Sequence, residues 1–299
     1  MSEPSQPASA APVSLAPHRL GGTPPSILTS GHAHAWSGAA FAAAIADWQQ
    51  GLRSWQLWGM LGWSELRRRY RRSLLGPFWI TLSMAIFIFA IGTVFSQLAG
   101  STLQEFLPYV ATGYLAWMLI SSFILDGCNV FIAAQPFLRS VRLPLSSFVF
   151  GAVWRNLVIF LHNLPVVLII LALLGVWPNG WILMLIPALL ANALAGAILA
   201  LVLGMISARF RDIIPIVGSV TQLLFFLTPV LFHPMHLGLV GDLLMFNPVT
   251  HFVEIIRASL LGQPPSALSW IAVLGMLAVG TIGSFLMFVR FRARITYWV

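Results

Sequence analysis

Six stretches of the chain stay apolar for 20 residues or more: residues 74–95, 106–125, 146–174, 182–206, 213–232 and 270–289. At 1.5 Å per residue, each is long enough as a helix to cross a hydrocarbon core of about 30 Å. Between the fifth and sixth lies a different pattern, residues 233–265, broken by Pro and Gly. There Asn247 suits a helix cap with Pro248 at the first helical position, and Gly262 and Pro264 provide a stop. The resulting helix, 249–261, is about 20 Å long and too short to cross. With the shorter element before it, at 237–246, it forms a re-entrant or interfacial helical hairpin, a place where irregular backbone at membrane depth has to be buried or line a cavity. Ahead of the first span, Leu52, Trp55, Trp63, Leu66 and Tyr70 fall on one narrow arc at 100° per residue, with Gly59 and Gly62 beside them. Most of the arginines at 67–72 project elsewhere, the pattern of a helix lying in the membrane interface. In the fourth span Gly196, Ala200 and Gly204 recur at every fourth residue, which predicts a face packed closely on another helix.

The predicted fold is therefore an all-α integral membrane protein with six transmembrane helices, an N-terminal amphipathic interfacial helix and a re-entrant outer hairpin between spans five and six. Residues 1–45, rich in Ala, Ser and Pro, read as a disordered tail rather than a signal peptide; 46–72 is the amphipathic helix and 73–299 the membrane domain. Composition agrees, since 59% hydrophobic and 8% charged residues leave too little polar surface for a soluble domain. With the N-terminus inside, 14 of the 16 arginines fall on the cytoplasmic side; Arg257 falls outside and Arg155 within the third span. That bias predicts both termini in the cytoplasm. It also assigns the net charge of +8 to a membrane face rather than to nucleic acid.

Arg155 has two readings. Counted back from Leu174 it reaches the inner headgroup level, where it can snorkel; alternatively it pairs with Asp126 at the inner end of the second span. Nearby His162 and Asn163 are expected to make interhelical hydrogen bonds.

Three functional classes fit such a chain. An ion-coupled transporter needs an ionisable group near the midplane, but Asp126 and Asp212 lie at inner positions. A membrane enzyme would use the outer residues His233, His236, Asp242, His251 and Glu254, whose spacing fits no metal motif. Glu254 and Arg257, three apart, read as a helix-surface ion pair. A conduit powered by a partner fits the compact basic inner segments "QPFLRSVRLP" and "SARFRDII". The chain has no lysine and so carries no P-loop of its own, and its single Cys128 makes no intrachain disulfide.

The succession "RRRYRRSLLGPFW", "FLRSVRLPLS", "VWRNLVIFLHNL", "SARFRDI", "LLFFLTPVLF" and "NPVTHFVEIIRASLLG" closely resembles the permease subunit of polysaccharide-exporting ABC transporters, the O-antigen and cell-surface glycan type. The resemblance covers the chain from about Trp48 onward. It implies a homodimer around a central channel in the cytoplasmic (inner) membrane, with two copies of a separate ABC ATPase docked below. ATP and Mg would be bound there, leaving no cofactor in this chain. The substrate it implies is a lipid-linked polysaccharide. By the same resemblance, Arg67, Arg68, Arg69, Tyr70, Arg71 and Arg72 end a gate helix whose arginines suit a lipid diphosphate. Gln135, Pro136, Phe137, Arg139 and Arg142 form a coupling helix for the ATPase, with Arg209, Arg211 and Asp212 a second contact. Asn247, Pro248, His251, Glu254 and Arg257 belong to an outer gate. Sugar C–H faces pack on aromatic rings, so Phe87, Phe89 and Phe95 on the first span and Phe225, Phe226 and Phe232 on the fifth are candidate channel lining; the alternative for each is lipid contact or packing. Outside the family, the alternative is a membrane transferase acting on lipid-linked sugars through the outer acids and histidines.

Overall fold

A computed structural model of the protein describes residues 36–69, 71, 76, 78–98, 100–141, 143–232, 244 and 246–299. Among them the ordered elements are helical: α1 (Gly38–Arg53), α2 (Trp55–Arg69), α3 (Phe78–Leu98), α4 (Leu103–Ala133), α5 (Gln135–Ser140), α6 (Leu145–Leu173), α7 (Leu185–Arg209) preceded by a 3₁₀ turn at Gly180–Met184, α8 (Ile213–Leu227), α9 (Pro248–Leu260) and α10 (Ala267–Trp298). Five segments are long and apolar enough to cross a membrane: Phe78–Gln97, Leu103–Leu138, Leu145–Leu173, Gly180–Arg209 and Ala267–Trp298. The expected span at 213–232 departs from this set. Its helix, α8, stops at Leu227 after 15 residues, about 22 Å, short of the hydrocarbon thickness. The expected tail boundary at residue 45 falls inside α1, and the stretch 46–69 is two helices that part at Ser54, whose ψ of 46° leaves the helical range.

The core forms around α4, buried along most of its length. It packs on α7 through the small-residue face read from the sequence. A Cβ placed on Gly127 would lie 3.0 Å from the Ala200 Cα, and one on Gly196 would lie 2.7 Å from the Phe123 ring. With small residues on both sides the two backbones come close enough for extensive dispersion contact, which drives association where lipid is as apolar as the side chains. By contrast α3, α8 and α10 each keep an outward row of large apolar residues, such as Leu82 and Ile86, Leu223 and Phe226, and Ile271 and Leu274.

One buried carboxylate joins the N-terminal helix to this bundle. Helix α6 begins after Pro144, which offers no capping side chain. Its free amides at Leu145 and Ser146 donate instead to Asp47 of α1, at 3.1 and 3.0 Å, and the Ser146 hydroxyl lies 2.8 Å from the same carboxylate. The negative charge also faces the positive end of the helix dipole. Arg292 of α10 completes the site with Nε 3.0 Å from Asp47 Oδ2. Asp47→Ala is expected to destabilise the protein by about 2 kcal/mol, allowing for the third of the Arg292 side chain that is exposed. The thermal unfolding midpoint in mild detergent measures it, and Asp47→Asn, which keeps an acceptor, is expected to lose less.

Candidate functional site

Two ends of the bundle carry polar chemistry. At the first, α2 lies directly on α6: a Cβ on Gly62 would sit 2.7 Å from the Gly151 carbonyl oxygen, and one on Gly151 would sit 3.3 Å from that of Trp58. The face of α2 turned to the protein includes Gly62 and Leu66, while Leu52, Trp55 and Trp63 stay exposed. The arc read from the sequence is thus divided between protein and surroundings: within α2 itself Gly62 and Leu66 face the protein and Trp55 and Trp63 do not, while the break at Ser54 separates Leu52 from the rest. One turn beyond the glycine contact, Glu65 of α2 meets Arg155 of α6. The guanidinium NH1 pairs with Glu65 Oε2, and NH2 lies 2.8 Å from Asp126 Oδ2 on α4. Arg155 therefore pairs instead of snorkelling: with 13% of its side chain exposed, it is covered by the helix laid over it. Asp126 was a partner readable from span lengths. Glu65 was not, since its obvious partner is Arg68 one turn on, here at 3.9 Å.

Arg67, Arg68 and Arg69 occupy the last turn of α2, exposed. Tyr70 and Arg72 lie outside the described residues. A cleft of 530 Å³ opens under Arg67 and Arg71, walled by Trp63 and Leu66, by Ile80 of α3 and by Val158, Ile159 and His162 of α6. The charges stand at an otherwise apolar cleft, an arrangement suited to an anionic headgroup on a hydrocarbon chain. Asn163 makes the expected interhelical bond, accepting from the Thr81 hydroxyl at 2.8 Å. His162 does not: its ring meets Phe78 edge-on at 5.6 Å, and its Nε2 is buried without a hydrogen-bond partner among the described residues.

The same end holds the two inner segments. Residues 135–140 do form a separate short helix, α5, set off from α4 by Ala134. Gln135 donates from Nε2 to the Val299 carbonyl at 2.5 Å, Pro136 sits in the first turn, and Phe137 is partly exposed beside Phe148. Arg139 is the fifth residue of α5, and Arg142 lies outside the described residues. Arg209 stacks on Phe210 and on Trp298, 5.1 and 5.5 Å from the ring centroids, and Arg211 and Asp212 are exposed. Trp298 and Val299 thus bring the two segments together.

At the second end, Asn247 caps α9 as expected, accepting from Val249 N–H at 3.0 Å. Its Nδ2 donates to the Leu227 carbonyl at 3.1 Å, where α8 stops. Arg257 is not on the helix surface as its spacing from Glu254 suggests. It is 3% exposed, donates to the Pro229 carbonyl at 2.7 Å and the Tyr109 hydroxyl at 2.8 Å, and lies 3.8 Å from the centroid of the Tyr109 ring. The Tyr109 hydroxyl in turn lies 3.0 and 3.1 Å from the carbonyls of Pro229 and Phe232. Arg257 and Tyr109 thereby satisfy backbone that the end of α8 leaves open. Glu254 is only 3.8 Å from Arg257; burial pushes its carboxyl above the usual range, against the pull of Arg257 and His251. His251 is buried with Nδ1 3.1 Å from the Ser269 hydroxyl. His233, His236 and Asp242 lie outside the described residues.

The six phenylalanines divide. Phe87 stacks on Tyr114 at 4.2 Å, Phe225 packs on Tyr114 and Trp117, and Phe95 and Phe232 join the same cluster. Phe89 and Phe226 are 47% and 63% exposed.

Residues 56–261 match the ABC-2 type transporter family, and the chain belongs to it; it is a multi-pass membrane protein. It is similar to a Myxococcus xanthus protein named O-antigen export system permease protein RfbA, 30% identical over 169 residues. A Klebsiella pneumoniae protein of the same name is 21% identical over 169 residues. In both cases the match covers 56% of this chain and 65% of the relative, so the chain spans a little under two thirds of those proteins' length.

Arg257→Leu is expected to destabilise by about 3 kcal/mol, because the Pro229 and Phe232 carbonyls are then left to share the single proton of the Tyr109 hydroxyl inside the protein. Glu254→Gln, at a long and partly exposed pair, is expected to change stability by about 0.5 kcal/mol or less. Paired unfolding midpoints in detergent check the contrast.

Proposed function

We propose that the chain is the transmembrane subunit of an ATP-driven exporter that moves a lipid-linked polysaccharide, such as O-antigen on undecaprenyl diphosphate, across the inner membrane. Two copies form the conduit and two copies of a separate ABC ATPase supply the energy. Each chain crosses six times, with α8 and the residues after it as the fifth crossing, and both termini are cytoplasmic. Residues 46–72 act as the gate, the tail lies before them, and the outer hairpin around α9 closes the far side. The observation that carries this reading is the joining of three features at one end: the arginine-ended α2, the short α5 and the loop at Arg209. In a permease that end faces the ATPase, and the arginines stand where a diphosphate arrives.

The lipid chain fits the apolar walls of the cleft, and the diphosphate fits Arg67, Arg68 and Arg71, whose planar donors bind phosphate oxygens in pairs. After release, the sugar chain presents C–H faces to aromatic surface. Phe89 is the candidate most open for this role; Phe226 is exposed but meets Phe225 edge-on at 5.4 Å, and the other four are occupied by packing. A transferase reading is not favoured, because His251 is bonded to Ser269 and Glu254 leans on Arg257. Capsule, teichoic acid or another glycan would fit the same residues as O-antigen.

Two measurements test the reading. The tagged chain purified from its native membrane is expected to bring a stoichiometric P-loop ATPase; repeated recovery of the chain alone refutes a powered exporter. Replacing Arg67, Arg68 and Arg71 with alanine is expected to cut surface glycan about tenfold or more while the ATPase still co-purifies. Undiminished export in that variant refutes the phosphate role.

A further inference from the structure

Two carboxylates, Glu65 and Asp126, share the single guanidinium of Arg155. Glu65 also has a second cation in reach, Arg68 on its own helix at 3.9 Å. It can therefore pair across the contact between α2 and α6, or along α2 after that contact opens. In the second arrangement Arg155 still holds Asp126, so the exchange leaves no bare charge in the protein, the cost that would otherwise forbid it. A cavity of 60 Å³ borders Glu65, Asp126, Arg155 and Arg68, with room for a few waters to hydrate a departing carboxylate. Phe137 of α5 lines the same cavity. Helix α5 follows α4 after one intervening residue, and Asp126 lies two turns back along α4. A displacement of α5 is thus carried by a rigid helix to the carboxylate that holds Arg155.

We propose that Glu65 and Arg155 are positioning residues of the transport cycle, a latch that holds α2 on α6 and α4 and frees it when Glu65 passes from Arg155 to Arg68. The proposal rests on the reading of α2 as a gate and α5 as the ATPase contact. Two discrete pairings of one carboxylate supply the two states that coupling requires.

The test uses the full chain, with Cys128→Ala and a spin label at Met60→Cys on the exposed side of α2. It is studied alone and with its ATPase in proteoliposomes holding the lipid-linked polysaccharide. Glu65→Gln keeps the Arg155–Asp126 pair and so the fold. It is expected to raise label mobility in the chain alone and to lower glycan exported per ATP about fivefold or more, with Glu65→Asp recovering part of both. Arg68→Gln, which removes the release partner, is expected to lower label mobility during ATP turnover. Wild-type mobility and export ratio in Glu65→Gln overturn the latch, as does a shift in the same direction for both variants. If the unmutated assembly exports nothing, the transport reading fails, while mobility in the chain alone still decides whether Glu65 holds α2.

Discussion

A charge in a low-dielectric helical bundle has to be paired, and in this protein the pairing fixes where each irregular segment sits. Asp47 finds its partners in the open amides of α6 and in Arg292, which sets α1 against the first turn of α6. Arg155 finds Glu65 and Asp126, which sets α2 across α4 and α6. Arg257 finds the Pro229 carbonyl and Tyr109, which sets α9 under the end of α8. Each partnership joins a segment that is not a full span to helices that are. The apolar contacts, such as that between Gly127 and Ala200, hold the spans together but do not by themselves say where the short helices go. Apolar surface is indifferent to register at this resolution of shape, whereas a buried guanidinium requires particular oxygen atoms.

Five of the six expected spans were legible because length and hydropathy leave little choice in a membrane; the second, fourth and sixth run past their expected ends, the third keeps its length, and the first begins four residues later. The cap at Asn247, the proline after it and the stop at Gly262, with φ of 70°, were also legible, because these signals are local. The end of α8 at Leu227 was not. Its apolar run continues to Phe232; Pro229 puts Thr228 in extended backbone, and the carbonyls this opens are met by partners from far along the chain, Asn247, Tyr109 and Arg257. The same limit hid Glu65. A sequence shows Glu65 next to arginines at helical spacing, yet the contact that matters comes from the crossing of Gly62 over Gly151, 89 positions apart.

The break in α8 also bears on the conduit. Once the helix ends at Leu227, Pro229 and Phe232 present carbonyls to Tyr109, and the backbone turns back toward α4. That turn brings Phe232 into the cluster that Phe225 of α8 forms with Phe95 and Trp117. Rings already stacked on one another cannot also receive a sugar face without giving up that contact, worth about 1 kcal/mol for each aromatic pair beyond the area it buries. A moving polymer needs surfaces that it can leave as easily as it meets. An exposed ring such as Phe89 meets that need, and the stacked group of Phe87, Tyr114 and Phe225, with Phe226 edge-on against it at 5.4 Å, serves better as the rigid backing that keeps α3, α4 and α8 in place.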